Sequence, residues 1–319
     1  MLTAYHAAED RLVPLPAGAP LAEAVWIDLE TPSPAEIDAV AALGLRVPTL
    51  EEMEEIEISN RLHHDGALAS MTAVLPGPAP AHRMAVMPVT FLLGPERLVT
   101  VRHHAPRPFE TYPRRAGSGT SGLASPDQVF LGLIEEIIAR LADLLEEVGR
   151  RLDAIIVPVL ETGRHRDGAF LREALRRTAI QSEIMASIRL GLLGVGRILT
   201  FYSTTPDGQQ RPRALRMIVD VLEHDVQALE VHADFLGNRA NLTLDATMGM
   251  INVRQNDTVR MLSVVAAMFV PPTLIASIYG MNFTAMPGLQ APWAWVLAML
   301  AMAGSSLGTY LLLRWKGWM

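Results

Sequence analysis

The string Ser277-Ile-Tyr-Gly-Met-Asn-Phe283 sets neutral oxygen acceptors at the end of a hydrophobic run. Asn282 offers an amide oxygen, and Ser277 and Thr273 offer hydroxyls, all without adding charge. Mg2+ gives up its water reluctantly and prefers a rigid octahedral shell. Rings of such acceptors suit contact with a hydrated divalent cation through its water, and Asn282 is the candidate metal contact of that outer-shell kind. Steps of three and four residues lead from Asn256 through Val259, Leu262, Ala266, Val270 and Thr273 to Ser277. This line has no carboxylate, is apolar in its first half and hydroxylated near its end. Leu262 and Val270 make candidate hydrophobic constrictions that gate by dewetting. Gly280 permits a tight turn at the helix end, and Met281 is expected to pack and hold the loop that follows. Each feature alone has a plainer reading. An Asn after Gly commonly closes a helix, and an apolar line of period 3.5 is more often a packing seam than a conduit.

The elements that must position these residues are membrane helices. No charged side chain occurs from Met261 to Leu313. A Pro/Gly-marked break between Gly280 and Pro292 divides the stretch into two apolar runs. Each is long enough to cross a hydrocarbon core of ~30 Å as a helix. The plainer reading of Pro271-Pro272 is a kink alone, tolerated in lipid where neighbours satisfy the freed backbone. Gly304-Ser-Ser-Leu-Gly308 is a small-xxx-small face expected to pack on the first span. Trp293, Trp295, Trp315 and Trp318 mark the two interfaces. Arg254 and Arg260 precede the first span, and Arg314 and Lys316 follow the second. That charge placement puts both termini in the cytoplasm and the 282–291 loop outside. The N-terminus lacks the basic and apolar regions of a secretory signal.

The remaining chain reads as a polar α/β and helical portion. Ala24–Leu29, Ala67–Val74, Met84–Leu93 and Arg97–Arg102 are predicted strands. Ser33, Pro34 and Glu36 form a helix start, Pro76-Gly-Pro-Ala-Pro80 a turn-rich connection, and 116–122 a flexible loop. From Asp127 to Glu161, Leu131, Ile134, Ile138, Leu141, Leu145, Val148 and Leu152 follow helical spacing. A second helix is predicted over 167–200, with a loop over 204–210. After Pro212 no strong breaker occurs before Pro271. A single helix of about 70 residues would need partner helices to be stable. The organisation is a cytoplasmic α/β domain with a mixed sheet at 1–122 and a cytoplasmic helical pair at 123–205. A stalk helix at 206–260 leads into membrane helix 261–281. An external loop (282–291), a second membrane helix (292–313) and a basic cytoplasmic tail (314–319) complete it.

Composition narrows the function. The net charge of −7 and pI near 5.7 give no basic face for nucleic acid. With no cysteine, disulfides and thiolate metal sites are excluded. No phosphate-binding Gly-rich loop with its Lys is present, which argues against an ATP-driven pump; the chain is not read as an enzyme. His63-His64 and His103-His104 are adjacent strand residues that point to opposite faces, a poor arrangement for holding one ion. The acidic segment Glu51–Glu57 is expected to be structural, with Arg61 as its counter-charge.

Tyr279-Gly280-Met281-Asn282-Phe283, the two C-terminal spans and the long helix feeding the first of them resemble the CorA magnesium-channel family. Trp26-Ile-Asp-Leu29, the Glu51–Arg61 segment and Gly249–Asn256 match its pattern in order. The resemblance covers the whole chain and implies a funnel-shaped homopentamer in the bacterial inner membrane. The first spans would line one central pore, with Gly280, Met281 and Asn282 as selectivity filter and the line from Asn256 to Ser277 as its wall. It implies Mg2+ influx, with Co2+ and Ni2+ also carried, driven by a membrane potential worth ~4.6 kcal/mol per 100 mV for two charges. It also implies regulatory Mg2+ at subunit interfaces, for which Asp220, Glu223 and Asp225 are the candidates. The outer loop departs from the family: Thr284-Ala-Met-Pro-Gly288 has glycine where many relatives carry glutamate. An uncharged mouth concentrates cations less, which keeps open the alternative of a ZntB-type Zn2+ transporter, proton-coupled or not. A third reading, from another class, is a polar domain merely tethered by its two helices.

Overall fold

A computed structural model describes the chain apart from residues 9–10, 17, 56, 79–83, 119–120, 161–167, 205–210, 282–291 and 319, and the side chains of 58 and 118. The chain forms two compact units, Met1–Gly163 with Arg172–Leu244, and Arg164–Leu171 with Asp245–Met319.

The first unit is an α/β layer domain with packed helices. Its strands are β1 (Leu2–Ala8), β2 (Arg11–Pro14), β3 (Trp26–Glu30), β4 (Leu62–Asp65), β5 (Leu68–Pro78), β6 (Met84–Leu93) and β7 (Leu98–Arg102). They form one mixed sheet in the order β2-β1-β3-β7-β6-β5-β4, with β3 and β7 parallel and the other pairs antiparallel. The four strands expected from sequence are β3, β5, β6 and β7. The others were not expected: β1 is alanine-rich, and pairing against β3, with Tyr5 opposite Trp26, decides its conformation.

The expected turn at Pro76–Pro80 is a correction, because Pro76, Gly77 and Pro78 continue β5 opposite Val86, Ala85 and Met84. Among the described strands β4 covers β5 only at Leu68–Met71, so the prolines occupy an edge, where a missing N–H is tolerated. Within the expected loop at 116–122, Ala116–Ser118 form a 3-10 turn and Ser121 is buried.

The sheet is apolar on both faces, as its alternation requires. Ile27, Leu29, Leu92, Val99 and Val101 pack with Val40 of α1 (Pro34–Ala41) and Met53 of α2 (Leu50–Glu54). The α1 start is as expected: the Glu36 carboxylate accepts from the Ser33 N–H at 2.8 Å. Short helix α3 (Ile58–Arg61) precedes β4. On the opposite face, Trp26, Met71, Phe91 and Leu98 meet α4 (Pro108–Arg115), α5 (Pro126–Leu160), α6 (Gly168–Thr204) and the first half of α7 (Arg213–Tyr279). Every apolar residue named above on α5 is buried. Gly194 lets α6 approach β5: a Cβ there would stand 3.1 Å from that of Ala73. α6 is long and apolar enough to cross a membrane, but 39% of its apolar window is buried, against 6% in α7 and in α8 (Ala294–Trp315). Met185, Ile188, Leu192, Val195 and Ile198 are consumed in the core, which makes α6 a core helix.

A buried polar ladder crosses the sheet on the α4 side. Trp26 Nε1 donates to Thr100 Oγ1 at 3.0 Å, and Thr100 donates to Asp28 Oδ1 at 2.7 Å. Arg102 forks onto Asp28 and also reaches Glu30 and the His104 carbonyl, at 2.9, 2.9 and 2.7 Å. Burial opposes its charge, but the bonds to Asp28 and the fields of Asp28 and Glu30 prevail and raise its pKa. His104 is buried, its Nε2 lies 2.9 Å from the Leu75 carbonyl, and burial lowers its pKa.

The acidic segment is not balanced as expected. Arg61 donates to the backbone carbonyls of Glu55 and Glu54, at 2.5 and 3.5 Å, while Glu52 pairs with Arg46. A compact helix turn places the guanidinium over carbonyls rather than beside the carboxylates.

Arg102→Met leaves Asp28 buried without its partner, and thermal or denaturant unfolding should register a loss of about 3–5 kcal/mol. His104 stays neutral when folded, whereas the unfolded chain takes up the proton near pH 6.5. Its contribution is therefore intact above that pH and lost as pH falls below it. Unfolding midpoints across pH 5–8 should show a shallower acid slope in His104→Gln.

Candidate functional site

The uncharged end of α7 and the whole of α8 lie in the second unit. α7 runs unbroken through 67 residues, as the absence of a breaker predicts, and includes Pro271 and Pro272. α8 packs on one side of it. Val264 of α7 and Leu313 of α8 are each 8% exposed, and Ala267, Met268, Pro271 and Ile275 are half-buried. The apposed face of α8 carries Met302, Ser305, Ser306, Thr309 and Tyr310, all half-buried. Gly304 and Gly308 are exposed, with open space where side chains would be. This corrects the expectation that the glycine pair packs on the first span. The hydroxyl residues beside it take that face, because Ser306 finds a hydrogen-bond acceptor on α7 there.

The sequence-derived line occupies uncovered surface of α7. Asn256, Val259, Leu262, Ala266, Val270, Thr273 and Ser277 are all exposed, Leu262 at 71% and Val270 at 63%. α8 takes one face of α7, and the 3.5-residue line lies away from it, on a surface it shares with exposed Met261, Val265, Phe269 and Leu274. Thr273 Oγ1 donates to the Phe269 carbonyl at 2.7 Å. With its proton committed to its own helix, that oxygen presents only lone pairs outward. Nothing on the line carries charge; its polar groups are one amide and two hydroxyls.

α7 closes with Gly280 N–H donating to the Ala276 carbonyl at 2.8 Å and Met281 N–H to Ile278 at 3.3 Å. A Cβ at Gly280 would stand 3.1 Å from the Ala276 oxygen, so glycine at this turn has a steric reason. Met281 is half exposed. Asn282 and the 282–291 loop fall outside the described residues.

The other candidates lie in the first unit. Asp220 and Asp225 are exposed on α7, and half-buried Glu223 accepts from Thr200 Oγ1 at 3.4 Å. Among the described residues no three His, Asp or Glu side chains gather to hold a metal. The paired histidines diverge: His63 Nδ1 lies 3.1 Å from the Asn60 carbonyl, while His64 stacks on Phe201. Sequence reasoning missed Ser306, whose hydroxyl donates to the Met268 carbonyl of α7 at 3.2 Å. The available signal was Pro271-Pro272, which leaves α7 carbonyls short of amide donors.

Among known proteins, the sequence model of a family described as CorA-like Mg2+ transporter protein matches residues 22–314. A relative from Escherichia coli strain K12 named Magnesium transport protein CorA is 31% identical, the match covering 100% of both chains. One of the same name from Pasteurella multocida strain Pm70 is 30% identical, also over 100% of both. The solved structure of the CorA magnesium transporter from Methanocaldococcus jannaschii covers 100% of this chain and 99% of its own, with TM-score 0.79 at 17% identity. The full-length CmaX protein covers 98% and 96%, with TM-score 0.63 at 16% identity. Both structures share the fold.

Because the chain has no cysteine, an introduced one is the sole thiol target. In the membrane-embedded protein, Thr273→Cys and Ser277→Cys should react with a charged, water-soluble thiol reagent. Val264→Cys, between the helices, should be at least tenfold slower, as mass spectrometry of the labelled chain would record.

Proposed function

Since this chain belongs to the CorA-like Mg2+ transporter family, we propose that it admits Mg2+ through a central path walled by α7 from several copies. The chain is a transporter rather than an enzyme, and Mg2+ is its cargo. The assembly is a homopentamer in the bacterial inner membrane, with both termini cytoplasmic. Asn256, Val259, Leu262, Ala266, Val270, Thr273 and Ser277 line the path, and Gly280, Met281 and Asn282 form the filter at its outer end.

The observation that supports this reading most is the uncovered, charge-free line on α7, opposite the face that α8 occupies. A conduit built from one helix per chain requires several chains. Asn282 and the hydroxyls accept from the water shell of the ion, so Mg2+ crosses without dehydration. Leu262 and Val270 close the path by dewetting when the helices approach. Asp220, Glu223 and Asp225 of neighbouring copies hold regulatory Mg2+ that favours closure, and loss of those ions leaves like charges opposed. Co2+ and Ni2+ pass by the same route.

A ZntB-type Zn2+ reading draws on Gly288 and the uncharged outer loop. Reconstitution separates the two. Mg2+ and Co2+ uptake that follows membrane potential and ignores an imposed pH gradient supports the Mg2+ reading; Zn2+ uptake that follows the pH gradient overturns it. Asn282→Ala removes the amide from every copy at once and should lower Mg2+ uptake about tenfold or more, since two lost neutral hydrogen bonds of ~1 kcal/mol each would already exceed that. Unchanged uptake removes Asn282 from the filter. Mass in detergent should be a fivefold multiple of the 34.8 kDa chain, and a monomer without flux would support a mere tether.

A further inference from the structure

Pro271 and Pro272 lie inside α7, beside residues of the proposed lining. In an α-helix the carbonyl of residue i accepts from the amide of residue i+4. Proline has no N–H, so Pro271 deprives the Ala267 carbonyl and Pro272 the Met268 carbonyl of their helical donors. In a hydrocarbon surrounding, such a group must find another partner. The Ser306 hydroxyl of α8 donates to the Met268 oxygen at 3.2 Å.

Other hydroxyls nearby behave differently. Ser305 donates to Met302 and Thr309 to Ser305, both within α8. Ser263 donates to Val259 and Thr273 to Phe269, both within α7. Among the described hydroxyls of these segments, Ser306 is the one that crosses between the helices. It does so at a carbonyl that proline chemistry has vacated.

We propose that Ser306 is a positioning residue for the ion path. Its hydroxyl substitutes for the amide missing at Pro272 and ties α7 to α8 at the level of Val270 and Thr273. The proline pair would otherwise make this the most easily bent part of the lining helix. The tie holds the Val270 constriction and the Thr273 oxygen in register while leaving the lining face free. The inference rests on the proposed reading of α7 as the wall of the path.

The test is a double-mutant cycle in the full-length protein. Wild type, Ser306→Ala, Ser306→Thr, Pro272→Ala and the Ser306→Ala/Pro272→Ala pair are reconstituted, and initial Mg2+ uptake is measured per amount of assembled protein. A hydrogen bond between membrane helices averages ~0.6 kcal/mol, so Ser306→Ala should slow uptake about threefold. Ser306→Thr keeps a hydroxyl and should stay close to wild type. In the Pro272→Ala background the amide at 272 supplies the donor, and removing Ser306 should change nothing. Uptake by Ser306→Ala equal to wild type, or the same loss in both backgrounds, overturns the proposal. Thermal unfolding of the five proteins in detergent reads the same cycle without transport. Coupling there with no wild-type Mg2+ flux would sink the ion path while leaving the bond. Flux without coupling would sink the positioning role alone.

Discussion

One chain cannot satisfy both apolar faces of its longest helix. In the first unit, Leu215, Val219, Leu222, Val226, Ala233, Leu236 and Ala240 of α7 are buried against α5 and α6. Met217, Val221, Val231, Phe235 and Leu242, offset by about half a turn, are each more than half exposed. Leaving such side chains in water forfeits roughly 25 cal/mol per Å2 of apolar surface. Further copies of the chain, as in the proposed assembly, would cover what α5 and α6 do not.

In the second unit the constraint changes with the solvent. A lipid surrounding would satisfy Phe269 or Leu297 but would offer nothing to Thr273, Ser277 or a carbonyl freed by proline. Polar groups there must meet another helix or water. Ser306 answers for one carbonyl, and Thr273 answers for its own proton by bonding back to Phe269. The hydroxyl oxygens that remain are acceptors without charge, which fits passage of an ion that keeps its water and binds nowhere tightly.

Much of this was legible in sequence because it rests on local pattern. The α5 core positions follow from helical spacing, the Ser33 start from its cap chemistry, and the length of α7 from the absence of a breaker before tandem prolines. The line from Asn256 to Ser277 is a register on a helix, and its separation from the α8 face follows once one contact between the helices is known. What escaped was set by distant pairing. β1, β2 and β4 have weak strand character and exist because β3 and β5 offer edges. The Pro76–Pro78 segment reads as a turn until its place on a half-covered strand is known. Arg61 reads as a carboxylate partner until the short α2 and α3 turns bring carbonyls to it instead.

The sequence by itself determined that the chain ends in two uncharged runs long enough to cross a membrane, with neutral hydroxyl and amide groups spaced along the first, because charge, length and helical period are properties of consecutive residues. Only the tertiary structure decided that Ser306 rather than the Gly304–Gly308 pair faces α7, and that Asp28, Thr100 and Arg102 share one buried ladder. Helix rotation and strand order bring together residues far apart in the chain, and the energy that selects those partners, a carbonyl or carboxylate denied water, appears only after the surrounding atoms have closed around it.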